Sequence, residues 1–130
     1  MIDCLRPIAT LGGLALLAVG LAACDNSPRP PGDVGICYQY VVPKPGQHRF
    51  NVLSKNTQSL EACAAGLEAM RIHFLMIGGN QTSLTGAYQS KFIFLEPDGI
   101  FTADSLNGAS YIALVRTNDG RLVRPGAIRQ

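Results

Sequence analysis

The chain has 130 residues, a net charge of +2 and only 15% charged residues. Its bases are scattered apart from Arg121, Arg124 and Arg129 near the end, which excludes the concentrated basic face of a nucleic-acid-binding protein. The length admits one domain with a modest core and is too short for two.

The first element in chain order is an uncharged run from Pro7 to Cys24, about eighteen positions, preceded by Arg6. A membrane-spanning helix needs roughly 20 residues, so the run sits at the short edge for a span. It ends in Leu21-Ala22-Ala23-Cys24, followed by Asp25 and Asn26. A basic residue, an apolar core and small residues before a break read as an export signal. An uncleaved single-span anchor and a buried core helix are the alternatives; three glycines and many alanines suit burial poorly. The tetrad resembles the lipobox of bacterial lipoproteins. That resemblance implies a diacylglyceryl group on the Cys24 thiol, cleavage of residues 1–23 and an acylated new amino terminus. Two or three acyl chains anchor a protein stably without a span. Asp25 directly after the cysteine implies, by the same resemblance, retention at the outer face of the inner membrane, with the outer membrane the other possibility. The expected product is a periplasmic domain bound to membrane lipid through acylated Cys24.

Removing residues 1–23 takes away one arginine and one aspartate, so the mature charge stays at +2. It also removes Cys4. With Cys24 lipidated, Cys37 and Cys63 are left as a pair in an oxidising compartment, and a disulfide is expected. The rival reading, a metal site, lacks partner ligands at the usual spacing. Closing a loop of about 27 residues is expected to contribute roughly 3 to 4 kcal/mol.

Residues 24–35 hold the lipidated cysteine and a Pro/Gly-rich tether, and the domain is expected over 36–130. Extended Pro-rich chain runs near 3.1 Å per residue, so such a tether reaches roughly 30 Å. ICYQYVV (36–42) is rich in β-branched and aromatic residues and predicts a strand. PKPG (43–46) predicts a turn, and HRFNVL (48–53) the returning strand. Leu60, Cys63, Leu67, Met70, Phe74 and Ile77 recur at three and four, the apolar stripe of a helix. Asn56 or Thr57 is its expected cap, and Gly78-Gly79 its stop. Cys63 then lies on the buried face, so the disulfide is expected to staple helix to strand. Ala62, Gly66, Ala69 and His73 form a second strip, either for close packing or as helix filler.

Residues 80–88, polar and Gly-bearing, are expected to be loop. SKFIFLE (90–96), apolar on both faces, predicts a central strand; Pro97-Asp98-Gly99 predicts a reversal; IFTA (100–103) returns. A loop over 104–110, a strand over 111–117, a turn at Asn118-Asp119-Gly120 and a short strand over 121–124 complete the chain. The order β-β-α-β-β-β-β predicts a two-layer α+β domain, one main helix on an antiparallel sheet.

No catalytic motif is present: there is no H-E-x-x-H, no G-x-S-x-G and no phosphate-cradling loop. His48 and His73 lack partners in sequence, Glu96 and Asp104 flank a hairpin as a weak carboxylate pair, and no calcium-loop pattern occurs. No catalytic residue, metal or cofactor is therefore assigned. Tyr88, Gln89, Tyr111 and Arg116 are the polar residues singled out as a possible interface, since Tyr and Arg are favoured there; ordinary half-buried strand residues are the other reading. The expectation is a non-enzymatic accessory or scaffold subunit that binds an envelope protein, with a small-ligand or cell-wall binding module, or a small hydrolase, as alternatives.

Overall fold

The computed structural model describes residues 27–126. Cys24, the apolar run before it and Arg129 lie outside the described residues. Strands β1 (Cys37–Lys44) and β2 (Gln47–Ser54) form a hairpin, helix α1 spans Leu60–Met76, and five strands follow: β3 (Leu84–Tyr88), β4 (Lys91–Glu96), β5 (Gly99–Ala103), β6 (Tyr111–Arg116) and β7 (Leu122–Val123). All neighbours pair antiparallel, in the order β2-β1-β3-β4-β5-β6-β7. This is the two-layer α+β domain expected, one helix on an antiparallel sheet, with seven strands rather than six.

The first turn is shorter than expected. Pro43 and Lys44 belong to β1, and Pro45-Gly46 alone makes the reversal, with Gly46 at φ +76°. Pro43 has no N–H for a ladder, and the register is irregular between Val41 and Lys44, which is where a strand tolerates proline.

The extra strand is β3. Its sequence, LTGAY, lacks the β-branched density of a buried strand, yet Leu84, Gly86, Ala87 and Tyr88 are buried between β1 and β4. A side chain at Gly86 would put Cβ 2.3 Å from Leu67 Cδ1 and 2.7 Å from the Tyr38 carbonyl oxygen. The missing Cβ lets the helix settle on the middle of the sheet. The β3–β4 turn also hid the strand. Gln89 and Ser90 both take positive φ, 44° and 68°, where hairpins usually place Asn-Gly.

Ser59, not Asn56 or Thr57, caps α1: its hydroxyl accepts from the Ala62 N–H at 3.0 Å. Asn56 turns the chain at φ +55°, and the Thr57 N–H is bonded to the Gly35 carbonyl at 2.8 Å. Gly78, at φ +93°, ends the helix as expected, and Gly79 N–H closes onto the Phe74 carbonyl at 2.8 Å.

Leu60, Cys63, Leu67 and Met70 face the sheet and pack with Leu84, Tyr88, Ile93, Leu95, Ile100 and Leu114. The stripe does not continue to the end. Phe74 is 36% and Ile77 66% exposed; the helix packs on β1 to β4, and Met70 is the last residue of the stripe that packs against the core. Ala64 and Glu68 take the buried positions beside the stripe. Ala62, Gly66, Ala69 and His73 are exposed. Cys37 and Cys63 form the disulfide, Cα atoms 5.3 Å apart, joining β1 to α1 inside the core.

Candidate interaction face

The alternation of strand residues gives the sheet two apolar faces, and only one lies under the helix. On the other, registered pairs carry Tyr38 and Tyr40 of β1, Phe50 and Val52 of β2, Phe92 and Phe94 of β4, Phe101 of β5 and Ile112 of β6; strand alternation adds Val42 of β1, and the contact with Tyr40 adds His48 of β2. The rings touch in series: Tyr38 to Phe50 at 6.2 Å, Tyr40 to Phe50 at 5.2 Å, Tyr40 to Phe92 at 5.7 Å and Phe92 to Phe94 at 6.1 Å between centroids. Such contacts contribute about 0.5 to 1.5 kcal/mol each beyond area burial. His48 stacks on Tyr40, and its Nδ1 shares a 2.6 Å hydrogen bond with the Tyr40 hydroxyl.

Cover on this face is partial. Ile36 and Leu106 pack against Tyr38, Ala87 and Phe92. Tyr40, Phe50, Phe94 and Phe101 stay half-buried, while Val42, Val52 and Ile112 are 47%, 52% and 47% exposed. Toward the β4–β5 turn the face opens into a hollow of about 560 Å³, walled by Phe94, Phe101 and Leu106 and edged by Glu96, Asp98 and Ser110. The Ser83 hydroxyl donates to Glu96 Oε2 at 2.6 Å and holds that carboxylate in place. Two acids and no base line the hollow.

The Pro-rich segment is not a free tether over its described length. Gly35 N–H donates to Gln89 Oε1 at 3.0 Å, Ser90 N–H to the Pro31 carbonyl at 2.9 Å, and the Tyr38 hydroxyl to Asp33 Oδ2 at 2.7 Å. The bond to Asp33 pushes the Tyr38 phenol above its ordinary value. Residues 27–35 thus form a strap laid along one end of the sheet.

The four residues singled out from sequence do not form one patch. Tyr88 is buried, and its hydroxyl donates to the Thr57 carbonyl at 2.6 Å. Gln89 holds the strap. Tyr111 is 70% exposed at the same end of the sheet as Tyr88, three strands across and two residues along, and so about 16 Å away. Arg116 lies at the opposite end, where its guanidinium bonds Glu68 at 2.8 and 3.0 Å and the Glu96 carbonyl at 2.5 Å. Arg71 meets Glu68 from the other side at 2.6 Å. Burial pushes the Glu68 carboxyl up, but hydrogen bonds and charge from Arg116 and Arg71 outweigh it and hold the group at about 2.

Glu96 and Asp104 do not converge. Glu96 sits at the Gly99 end of the β4–β5 hairpin, and Asp104 at the other end, paired with Lys91. Among the described residues no cluster of three or more His, Cys, Asp or Glu side chains is placed to hold a metal, and no helix is long and apolar enough to cross a membrane. Sequence reasoning found Phe92 and Phe94 through a strand apolar on both faces. It missed the open face, because Tyr40, Phe50 and Phe101 come from strands whose side-by-side order no single segment encodes.

Comparison with protein-family models, curated proteins and solved structures finds no match to this chain.

Proposed function

We propose that the chain is an exported lipoprotein, anchored at Cys24, whose domain serves as a non-enzymatic accessory subunit of an envelope protein complex. The open aromatic face of the sheet carries this reading. A two-layer domain buries one sheet face under its helix and leaves the other to water or to a partner. Here the second face holds a connected run of rings, bordered by exposed Val42, Val52 and Ile112, the composition that marks binding surfaces. The acid-edged hollow at Phe94 and Phe101 suits a partner segment that presents an apolar side chain beside a Lys or Arg, whose cation is drawn to ring faces and carboxylates together. The lipobox-like Leu21-Ala22-Ala23-Cys24 supports export and anchoring to the inner membrane.

Position-specific photo-crosslinking in cells tests the reading. Probes at Val52 and Ile112 are expected to capture one discrete partner, probes at Ala62 and Gly66 on the outer face of the helix none, and Phe94→Asp to abolish capture. Equal capture from both faces, or none from the sheet, overturns it. The same hollow also fits the second reading, a small organic cation or wall fragment. That reading requires saturable binding by the isolated domain, lost in Glu96→Gln.

A further inference from the structure

We infer that the anchored domain rests directly on the bilayer by the end of its sheet that carries the strap, with its strands standing away from the membrane. The inference rests on the lipid anchor at Cys24 and concerns what that anchor can reach. An eleven-residue free tether allows a separation of roughly 30 Å. The hydrogen bonds that Pro31 and Asp33 accept from Ser90 and Tyr38, and that Gly35 donates to Gln89, remove that freedom. Ser27 to Pro30 already lie against Ser90, Asp104 and Ser105, around a hollow of about 410 Å³. Only three peptide steps separate Cys24 from Ser27, and three extended residues span at most about 11 Å. The acyl chains of Cys24 enter the bilayer at the headgroup level, so this end of the domain is held within the same distance of it.

The surface so placed is mixed: Val34 of the strap and Tyr111 at the same end of the sheet are 87% and 70% exposed among polar groups. It offers the hydroxyls of Ser90 and Ser105, the exposed guanidinium of Arg29 and a Lys91–Asp104 ion pair whose charges cancel. That chemistry suits the headgroup level of a bilayer: an arginine bonds phosphate oxygens in pairs, a lone base near an anionic surface adds about 1 kcal/mol, and an exposed tyrosine suits the membrane–water interface. The large apolar residues left exposed on α1 and at its C-cap, Ile72, Phe74, Met76 and Ile77, lie toward its C-terminal end. The helix N-terminus is tied to the strap end through Thr57 and Gly35, so these residues point away from the lipid. A partner would then meet the aromatic face side-on, close to the membrane.

The chain has no tryptophan, so single tryptophans report depth cleanly. Full-length protein carrying Arg29→Trp, Asp104→Trp or Asn118→Trp would be acylated in cells, purified and placed in phosphatidylethanolamine–phosphatidylglycerol vesicles containing a headgroup nitroxide lipid. Quenching is expected to be several-fold greater at positions 29 and 104 than at 118, in the far β6–β7 turn. Ten Gly/Ser residues inserted between Asn26 and Ser27 are expected to remove the difference. Acylated protein with equal or no quenching at 29, 104 and 118 overturns the inference and leaves the anchor standing. Protein without acyl groups overturns both.

Discussion

The Ser90 N–H donates to the Pro31 carbonyl at 2.9 Å, and this bond ties the Pro-rich strap to a turn whose two central residues both have positive φ. Side-chain-bearing residues held there cost of order 1 to 3 kcal/mol each. Together with the Gly35–Gln89 bond, the contact fixes both turn and strap. Gln89→Ala removes the acceptor for Gly35 N–H and is expected to cost about 1 kcal/mol in urea denaturation. It should also speed amide hydrogen exchange at Gly35 and Ser90 together. Unchanged exchange at Ser90 would show that strap and turn are independent.

Glu68 is 4% exposed and held at about 2, against an ordinary 4.5, by Arg116 and Arg71. Its folded value lies below its unfolded one, so its contribution is complete above pH 4.5 and is lost as pH falls through 4.5 toward 2. The shift corresponds to about 3 kcal/mol. Glu68→Gln is expected to destabilise the domain by that order at pH 7 and to flatten stability across this window, read from urea midpoints at a series of pH values. A parallel loss of stability with pH in wild type and variant would contradict the assignment.

Gly86 admits Leu67 to the centre of the sheet, and the nearest obstacle to a Cβ besides that side chain is backbone, the Tyr38 carbonyl at 2.7 Å. Leu67 can turn aside; the β1 backbone cannot move without breaking the ladder. Gly86→Ala is expected to cost about 1 to 3 kcal/mol, the range for overpacking, whereas Gly66→Ala, on the exposed side of the helix and 3.4 Å from only a leucine methyl, should be neutral or stabilising by up to about 1 kcal/mol. Thermal melts of the two variants separate these outcomes.

The Cys37–Cys63 bond closes a separation of 26 residues. Replacing both cysteines by alanine is expected to lower unfolding free energy by roughly 3 to 4 kcal/mol, and mass spectrometry of the protease-digested native chain should recover the linked peptides. Two alkylatable thiols in the untreated protein would contradict it.

The helix was legible because it rests on local pattern: Leu60, Cys63, Leu67 and Met70 repeat at the helical period. The disulfide was legible on the expectation that Cys4 leaves with a signal and Cys24 takes lipid, which leaves Cys37 and Cys63 as the pair. Strand β3 was not, since Gly86 is chosen for what the helix needs and Gln89-Ser90 makes a turn without turn residues. The exposure of Phe74 and Ile77 was hidden as well, because a periodic stripe does not state where its packing against the core ends. Arg116 was singled out as polar and unusual; its partner Glu68 lies 48 positions away, and such a pairing is set by the fold. The open aromatic face depends in the same way on strand order. Tyr40 and Phe92 are 52 positions apart in sequence and 5.7 Å apart in space.

The lipid anchor at Cys24 underlies both the proposed function and the placement on the bilayer. The intact mass of the chain extracted from bacterial membranes tests it in one measurement. The expected species begins at Cys24, carries a diacylglyceryl group on sulfur and an acyl group on the new amine, and lacks two hydrogens for the Cys37–Cys63 bond. A species that retains residues 1–23, or one with Cys24 as an unmodified thiol, would contradict it.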